Sequence, residues 1–312
     1  MSRVLLFGAS GFIGRHVRAA LQPDMTLVCP PRAACDLVSC STADLAAFVA
    51  AVNPQAVVTC VGRTTGSGED LVLSNSVATA KLLEAVVRGA PRARLIRLGS
   101  AAEYGQQPFG SLVNERDLAE PISEYGVSQL AATRLLELAA HAGRVDAVVL
   151  RVFNPVGPGL PATTLLGRAA TSLGNGDRAA LVTGPLGAYR DFVDVRDVAA
   201  AVVAAVMVRD PADRVFNIAS GRAVQVREAV RLLARAAGFA GEVREDAAAP
   251  SRSATVDWVC ADISRAAVVL GWTPRFDLME SITAAWSGDA SSGQASGCLA
   301  TTTTGADVPI ST

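Results

Sequence analysis

The sequence is almost without lysine and histidine. Lys81 is its single lysine, so arginine supplies the rest of its 28 basic residues, and His16 and His141 are its only histidines. A metal centre built on clustered imidazoles is not expected from so few. The six cysteines (Cys29, Cys35, Cys40, Cys60, Cys260 and Cys298) show no CxxC spacing. Free thiols in a reducing compartment are the expectation, and with them a cytoplasmic location. No apolar run is long enough to cross a bilayer. The net charge of −1 and the absence of a basic run leave no role for nucleic acid or an anionic membrane surface as partner. The opening Val4-Leu5-Leu6-Phe7 mimics a secretion signal, but Gly8, Gly11 and Gly14 break the run and no small-residue cleavage site follows.

What is present is an alternation of strand and helix patterns. With 312 residues, half of them hydrophobic, the chain can bury one large core or two modest ones. Short apolar runs at Val4–Phe7, Thr26–Cys29, Ala56–Val61, Arg94–Leu98 and Ala147–Leu150 read as buried parallel strands. Helical patterns at Phe12–Leu21, Asp44–Val52, Ser76–Arg88 and Tyr125–His141 separate them, the last with Leu130, Leu135, Leu138 and Ala139 expected inward. The expectation is an α/β fold with a doubly wound parallel sheet over residues 1–160. After Gly157-Pro158-Gly159 the pattern loosens, and 161–286 reads mostly as a smaller substrate-binding domain at the sheet's carboxyl edge, with helices at Thr164–Leu173 and Val195–Val208. Residues 287–312, rich in Ser, Gly, Thr and Ala, read as a disordered tail.

Gly8-Ala9-Ser10-Gly11-Phe12-Ile13-Gly14 directly follows the first strand and opens the first helix. Glycine there allows a tight turn and close approach of backbone to a pyrophosphate, which the helix amino end then holds through its N–H groups. A glycine pattern alone arises by chance; this placement makes it specific to a Rossmann-type dinucleotide site. Gly8, Ser10, Gly11, Phe12, Ile13 and Gly14 are the first cofactor candidates. The second strand ends Cys29-Pro30-Pro31-Arg32, with no carboxylate for an adenosine ribose. Arg32 is placed to pair with a 2′-phosphate, which favours NADP(H) over NAD(H), although an ordinary surface arginine is an equal reading; Arg15 is a second candidate. Asp36 and Leu37 would lie near the adenine, and Cys60, Val61 and Gly62 line the cofactor after the third strand.

The spacing GxxGxxG, the stretch Leu98-Gly99-Ser100-Ala101-Ala102-Glu103-Tyr104-Gly105 and the segment Tyr125-Gly126-Val127-Ser128-Gln129 together resemble the extended short-chain dehydrogenase/reductases, the NAD(P)-dependent epimerase/dehydratase family. The resemblance covers about residues 1–285. It implies that Ser100 holds a substrate oxygen, that Tyr125 exchanges a proton with it, and that Gln129 stands where the family has a lysine. That lysine binds the nicotinamide ribose and eases ionisation of the tyrosine by its charge. Gln129 keeps hydrogen bonds but has no charge, so Tyr125 is expected to titrate near an ordinary tyrosine, about 10. A neutral phenol suffices for reduction, whereas oxidation needs phenolate; a one-way ketoreductase, or a protein of little activity, is expected.

The resemblance further implies that Phe153 and Pro155 lie at the nicotinamide with Arg151 beside them, and that Asn154, Arg190 and Arg252 bind substrate, the arginines through a diphosphate. Asn75 would order the same area, and Asp194 and Asp197 read as helix-start and linking carboxylates. Ala101 and Ala102 stand where dehydratases of the family carry acids, and Glu103 is expected on the opposite strand face. The motifs look most like those of GDP-4-keto-6-deoxymannose-type reductases. The leading expectation is NADPH-dependent reduction of a nucleotide-linked 4-keto-6-deoxyhexose. Reduction of a polyketide or other secondary-metabolite ketone, nucleotide-sugar 4-epimerisation and a non-catalytic dinucleotide-binding role stay open. A homodimer through the helices at 76–88 and 125–141 is also implied.

Overall fold

A computed structural model describes residues 2–175, 180–245 and 256–288. The first half runs β1 (Arg3–Phe7), α1 (Phe12–Leu21), β2 (Thr26–Val28), α2 (Thr42–Val52), β3 (Ala56–Thr59), α3 (Gly68–Leu71), a π-helical turn (Val72–Val77), α4 (Ala78–Gly89), β4 (Arg94–Ser100), a 3₁₀ turn (Ala101–Glu103), α5 (Glu124–His141) and β5 (Asp146–Val152). The second half adds β6 (Pro155–Val156), α6 (Leu165–Gly174), β7 (Ala180–Val182), β8 (Tyr189–Asp191), β9 (Val193–Asp194), α7 (Val195–Met207), β10 (Val215–Ile218), β11 (Ala223–Gln225), α8 (Val226–Ala236), β12 (Glu242–Arg244), α9 (Ser264–Leu270) and α10 (Leu278–Ser287). Six strands form one parallel sheet in the order β2-β1-β3-β4-β5-β10. This is the doubly wound architecture expected, with its switch point between β1 and β3, where the glycine loop emerges.

Alternation along β1 explains why helices must cover both faces. Val4 and Leu6 pack with Val17, Leu21, Val198 and Val202 from α1 and α7. Leu5 and Phe7 pack with Leu45, Val49, Leu82 and Val86 from α2 and α4. Each such side chain contributes about 1.5–3 kcal/mol on burial. A separate cluster of Leu166, Leu181, Val230, Leu233 and Ile282 is the core of the smaller layer over the carboxyl edge. The two layers are not divided by one cut in the chain, because β10 returns to the large sheet and α7 packs on α1.

Two expectations change. Leu135 and Leu138 of α5 point outward, at 38% and 68% exposure, while Gln129, Ala132, Thr133, Leu136 and Ala139 face the protein. The buried hydrogen bonds of Ser128 and Gln129 hold this register, and two leucines are left in solvent. The helix expected from Ser76 begins instead as the π-helical turn 72–77, a geometry common at functional sites. The tail from 289 onward lies outside the described residues.

Candidate active site

The glycine loop is as tight as its sequence suggests. Gly8 has φ +77°, and a Cβ on it would stand 2.9 Å from the Cys60 carbonyl carbon. A Cβ on Gly14 would meet the Gly8 carbonyl oxygen at 1.9 Å, so α1 can pack against the loop only with glycine there. Gly11 is the N-cap of α1, with no side-chain cap and no acid in the first turn. Exposed Ser10 and Gly11 and half-buried Phe12 and Ile13 flank this uncapped end. The cradle therefore fits a dinucleotide pyrophosphate, whose charge would meet unoccupied N–H groups and a positive dipole.

In the loop after β2, Arg32 is exposed and forms an ion pair with Asp36 at 2.9 Å. The Val38 amide and the Arg32 guanidinium hold the Asp36 carboxyl below its ordinary range. Leu37 is buried in the α2 layer. Arg15 is engaged elsewhere: it donates to the carbonyls of Pro158 and Gly159 at 2.7 Å each. Cys60 lies beneath the loop, its thiol pushed up to about 12 by burial, while Val61 and Gly62 are exposed.

The two candidate hydroxyl residues lie at the end of β4 and in the first turn of α5. Ser100 closes β4 and accepts from the Ala102 amide at 3.2 Å. Ser123 caps α5 through the Gly126 amide at 3.1 Å, which places Tyr125 in the first turn, half-buried. Gly126 makes the junction close: a Cβ there would stand 2.4 Å from the Ala102 carbonyl oxygen. Gly126→Ala is expected to displace the start of α5 and to lower kcat by about 100-fold, with dinucleotide affinity changed far less. Steady-state kinetics beside cofactor titration checks this.

Asn75, 1% exposed in the π-helical turn, ties the loop after β3 to α5. Its Oδ1 accepts from the Arg63 amide at 2.8 Å, and its Nδ2 donates to the Arg63 carbonyl and to Ser128 Oγ at 2.9 Å each. Gln129 is buried behind Tyr125, and its Oε1 accepts from Arg97 Nη2 at 2.5 Å. Arg97 went unnoticed in the sequence. A charge in the middle of the apolar strand Leu95-Ile96-Arg97-Leu98 was the available signal.

Glu103 corrects the reading that placed it on a strand. It lies in the 3₁₀ turn, fully buried, and folds back over Gly99 to accept from Arg151 Nε at 2.8 Å and from the Ser100 amide at 3.0 Å. Arg151, expected beside the nicotinamide, is 1% exposed and lies over the Tyr104 ring at 4.5 Å. Burial opposes its charge, but Glu103 and Tyr104 outweigh that and raise its pKa.

Phe153 is fully buried with Tyr104 and Val259, so only its backbone can reach a cofactor. Asn154 and Pro155 are half-buried at the same edge, and Asn154 donates to the Asp191 carbonyl at 2.8 Å. Arg190, on β8, is 9% exposed and donates to the Tyr189 carbonyl at 2.7 Å. Burial lowers its pKa, against the pull of Asp257. Arg252 lies outside the described residues. Asp194 caps α7 and pairs with Arg196, while Asp197 accepts from the Arg275 and Phe276 amides. Both carboxylates build structure.

Residues 4–219 match the NAD dependent epimerase/dehydratase family. The chain belongs to that family. It is 37% identical over 302 residues to dTDP-6-deoxy-L-talose 4-dehydrogenase (NAD(P)(+)) of Kitasatospora kifunensis, covering 91% of this chain and 95% of the relative. It is 28% identical to GDP-6-deoxy-D-mannose reductase of Pseudomonas aeruginosa, over 90% of this chain and 95% of that one. Among solved structures it is similar to RMD from Pseudomonas aeruginosa complexed with NADPH (TM-score 0.80, 26% identity, 92% of this chain and 98% of that one). It is also similar to MoeE5 in complex with UDP-glucuronic acid and NAD (TM-score 0.76, 28% identity, the same coverage). The chain is thus an NAD(P)-dependent enzyme of the extended short-chain dehydrogenase/reductase type. Among the described residues no helix is long and apolar enough to cross a membrane.

Proposed function

We propose that this enzyme interconverts a 4-ketone and a 4-alcohol on a nucleotide-linked 6-deoxyhexose, using NADP(H) in preference to NAD(H), in the cytoplasm. The observation that carries the reading is the Gly126 junction, which packs the Tyr125 turn against the turn that follows Ser100. Two hydroxyls at one helix–strand corner, beside a dinucleotide cradle, are what carbonyl reduction needs. The named activities of the talose dehydrogenase and the mannose reductase support the sugar class.

Ser100 would hold the substrate oxygen, and the Tyr125 hydroxyl would give it a proton as the carbonyl is reduced. Gly8, Gly11 and Gly14 would admit the pyrophosphate of the dinucleotide, Gln129 its ribose. When bound, the dinucleotide supplies or receives the hydride. Glu103 cannot take the acid's part in a dehydration, since it is buried and committed to Arg151. Arg190 and Arg252 would draw in the sugar's diphosphate, and Asn154 would line the same pocket. The outward stripe Val127, Ala131, Leu135 and Leu138 is what a homodimer through α5 would bury.

The test follows NADPH absorbance while nucleotide-4-keto-6-deoxyhexoses are added, with NADH in parallel. Sugar-dependent oxidation, faster with NADPH, is expected; silence across the panel, with NADPH binding shown by fluorescence, would sink the substrate class. Arg32→Ala should raise KM for NADPH about tenfold, about the loss of one charge-assisted hydrogen bond, and leave KM for NADH unchanged. Equal effects on both would remove Arg32 from the 2′-phosphate.

A further inference from the structure

Arg97 is an expensive residue. It is 3% exposed, on a strand whose neighbours are leucine and isoleucine, and among the described residues no carboxylate forms an ion pair with it. Its Nε donates to Thr79 Oγ1 at 3.1 Å and its Nη2 to Gln129 Oε1, while Nη1 finds no acceptor among the described residues. A methionine would fill this place at far lower cost in desolvation.

The bond to Gln129 fixes more than position. A guanidinium can only donate, so the oxygen of the Gln129 amide must face Arg97. The amide's Nε2 therefore faces the other way, toward the loop after β3, where a Cβ on Gly62 would lie 3.9 Å from it. Its N–H groups are polarised by the cation behind them.

We propose that Arg97 supplies the positive charge which the family pattern places on lysine at position 129: the guanidinium stabilises ionised Tyr125, and the Gln129 amide carries its donor character to the cofactor ribose. Arg97 is a positioning residue, acting on Tyr125 through the field and on the ribose through Gln129. The proposal rests on the role given above to Tyr125, and it revises the expectation that Gln129 leaves this tyrosine without a cation. Phenolate becomes accessible, so oxidation of the alcohol is open to the enzyme as well as reduction of the ketone.

Of the buried charges around α5, Arg97 is one without an ion-pair partner among the described residues, and Glu103 acts on it only through the field. From β4 and β5, Arg94 pairs with Asp146 at the far end of the strands, and Arg151 pairs with Glu103 of the 3₁₀ turn. From α3, Asp70 pairs with Arg63, and Glu69 is exposed. From α4, Glu84 pairs with Arg144, Lys81 donates to the Val38 and Cys40 carbonyls, and Arg88 is exposed. Glu124, beside Tyr125 on α5 itself, is exposed. Burial lowers the Arg97 pKa, while Glu103 and Tyr125 act to keep it charged, so the coupling between the two side chains is felt from the arginine's side too.

The protein has only three tyrosines, which makes the test direct and free of any substrate. Tyrosine carrying ¹³C at Cζ is titrated by NMR in the wild type, in Arg97→Met and in the double variant Arg97→Met/Gln129→Lys, with Tyr125→Phe assigning the signal. Tyr104 stays apart because burial pushes it up to about 12. Tyr125 of the wild type is expected to ionise below the ordinary value of about 10. Arg97→Met should move that midpoint up by at least about one unit, and the double variant should move it back down. Two results would overturn the proposal: a wild-type midpoint at or above the ordinary value, which needs no variant to fold, or the same midpoint with and without Arg97. Because the readout needs no sugar, failure of the substrate class leaves it intact, and its own failure leaves the substrate class intact.

Discussion

Tyr125→Phe should lower kcat by about 10²- to 10⁴-fold while leaving NADPH affinity close to wild type. In the proposed reduction the phenol gives a proton to the developing alkoxide, and phenylalanine keeps the ring and removes only that hydroxyl. The fold should not suffer, since Tyr125 is half-buried in the first turn and Ser123, not Tyr125, caps the helix. Single-turnover NADPH oxidation beside fluorescence titration separates chemistry from binding. A variant that retains wild-type kcat would mean that the substrate or water supplies the proton, as the alternative of a secondary-metabolite ketone would allow.

The second large effect falls on stability. Glu103→Gln is expected to cost about 3–5 kcal/mol, because it leaves the Arg151 charge buried without its carboxylate. The pair is 1% and 0% exposed, so water cannot take over for the lost partner. In a protein of this size the melting temperature should fall by about 5–8 °C. Replacing both members, as Glu103→Gln/Arg151→Met, should recover much of the loss, since neither charge then has to be buried. An unchanged melting temperature in the single variant would show the pair to be energetically idle.

Much of this was legible in the sequence, and the reason is local. A glycine loop between a strand and a helix carries its conformation in its own residues, and Gly8 and Gly14 show it in the closeness of their neighbours. The fold followed from alternation of apolar runs, whose strand positions agree with the sheet to within about two residues. What escaped depends on partners far apart in the chain. Gln129 and Arg97 are 32 positions apart, so a missing lysine was visible and the cation that stands behind its replacement was not. Glu103 and Arg151 are 48 apart, and neither the burial of the acid nor the loss of Arg151 to the cofactor could be read without their pairing. The register of α5 misled for another reason. Its leucines at 135 and 138 suggested an inner face, but the polar bonds of Ser128 and Gln129 decide which side turns inward. Pattern singles out Arg190 as a diphosphate candidate, but its burial and its bond to the Tyr189 carbonyl are not legible in pattern.

The most direct measurement of the account follows the hydride. A nucleotide-linked 4-keto-6-deoxyhexose is incubated with the enzyme and NADPH carrying deuterium at the transferable position of the nicotinamide, and the sugar product is read by NMR and mass spectrometry. Deuterium at C4 of the sugar, on one face only, is the predicted result. Sugar recovered without deuterium, although NADPH binds, would contradict the assignment of this site to reduction at C4.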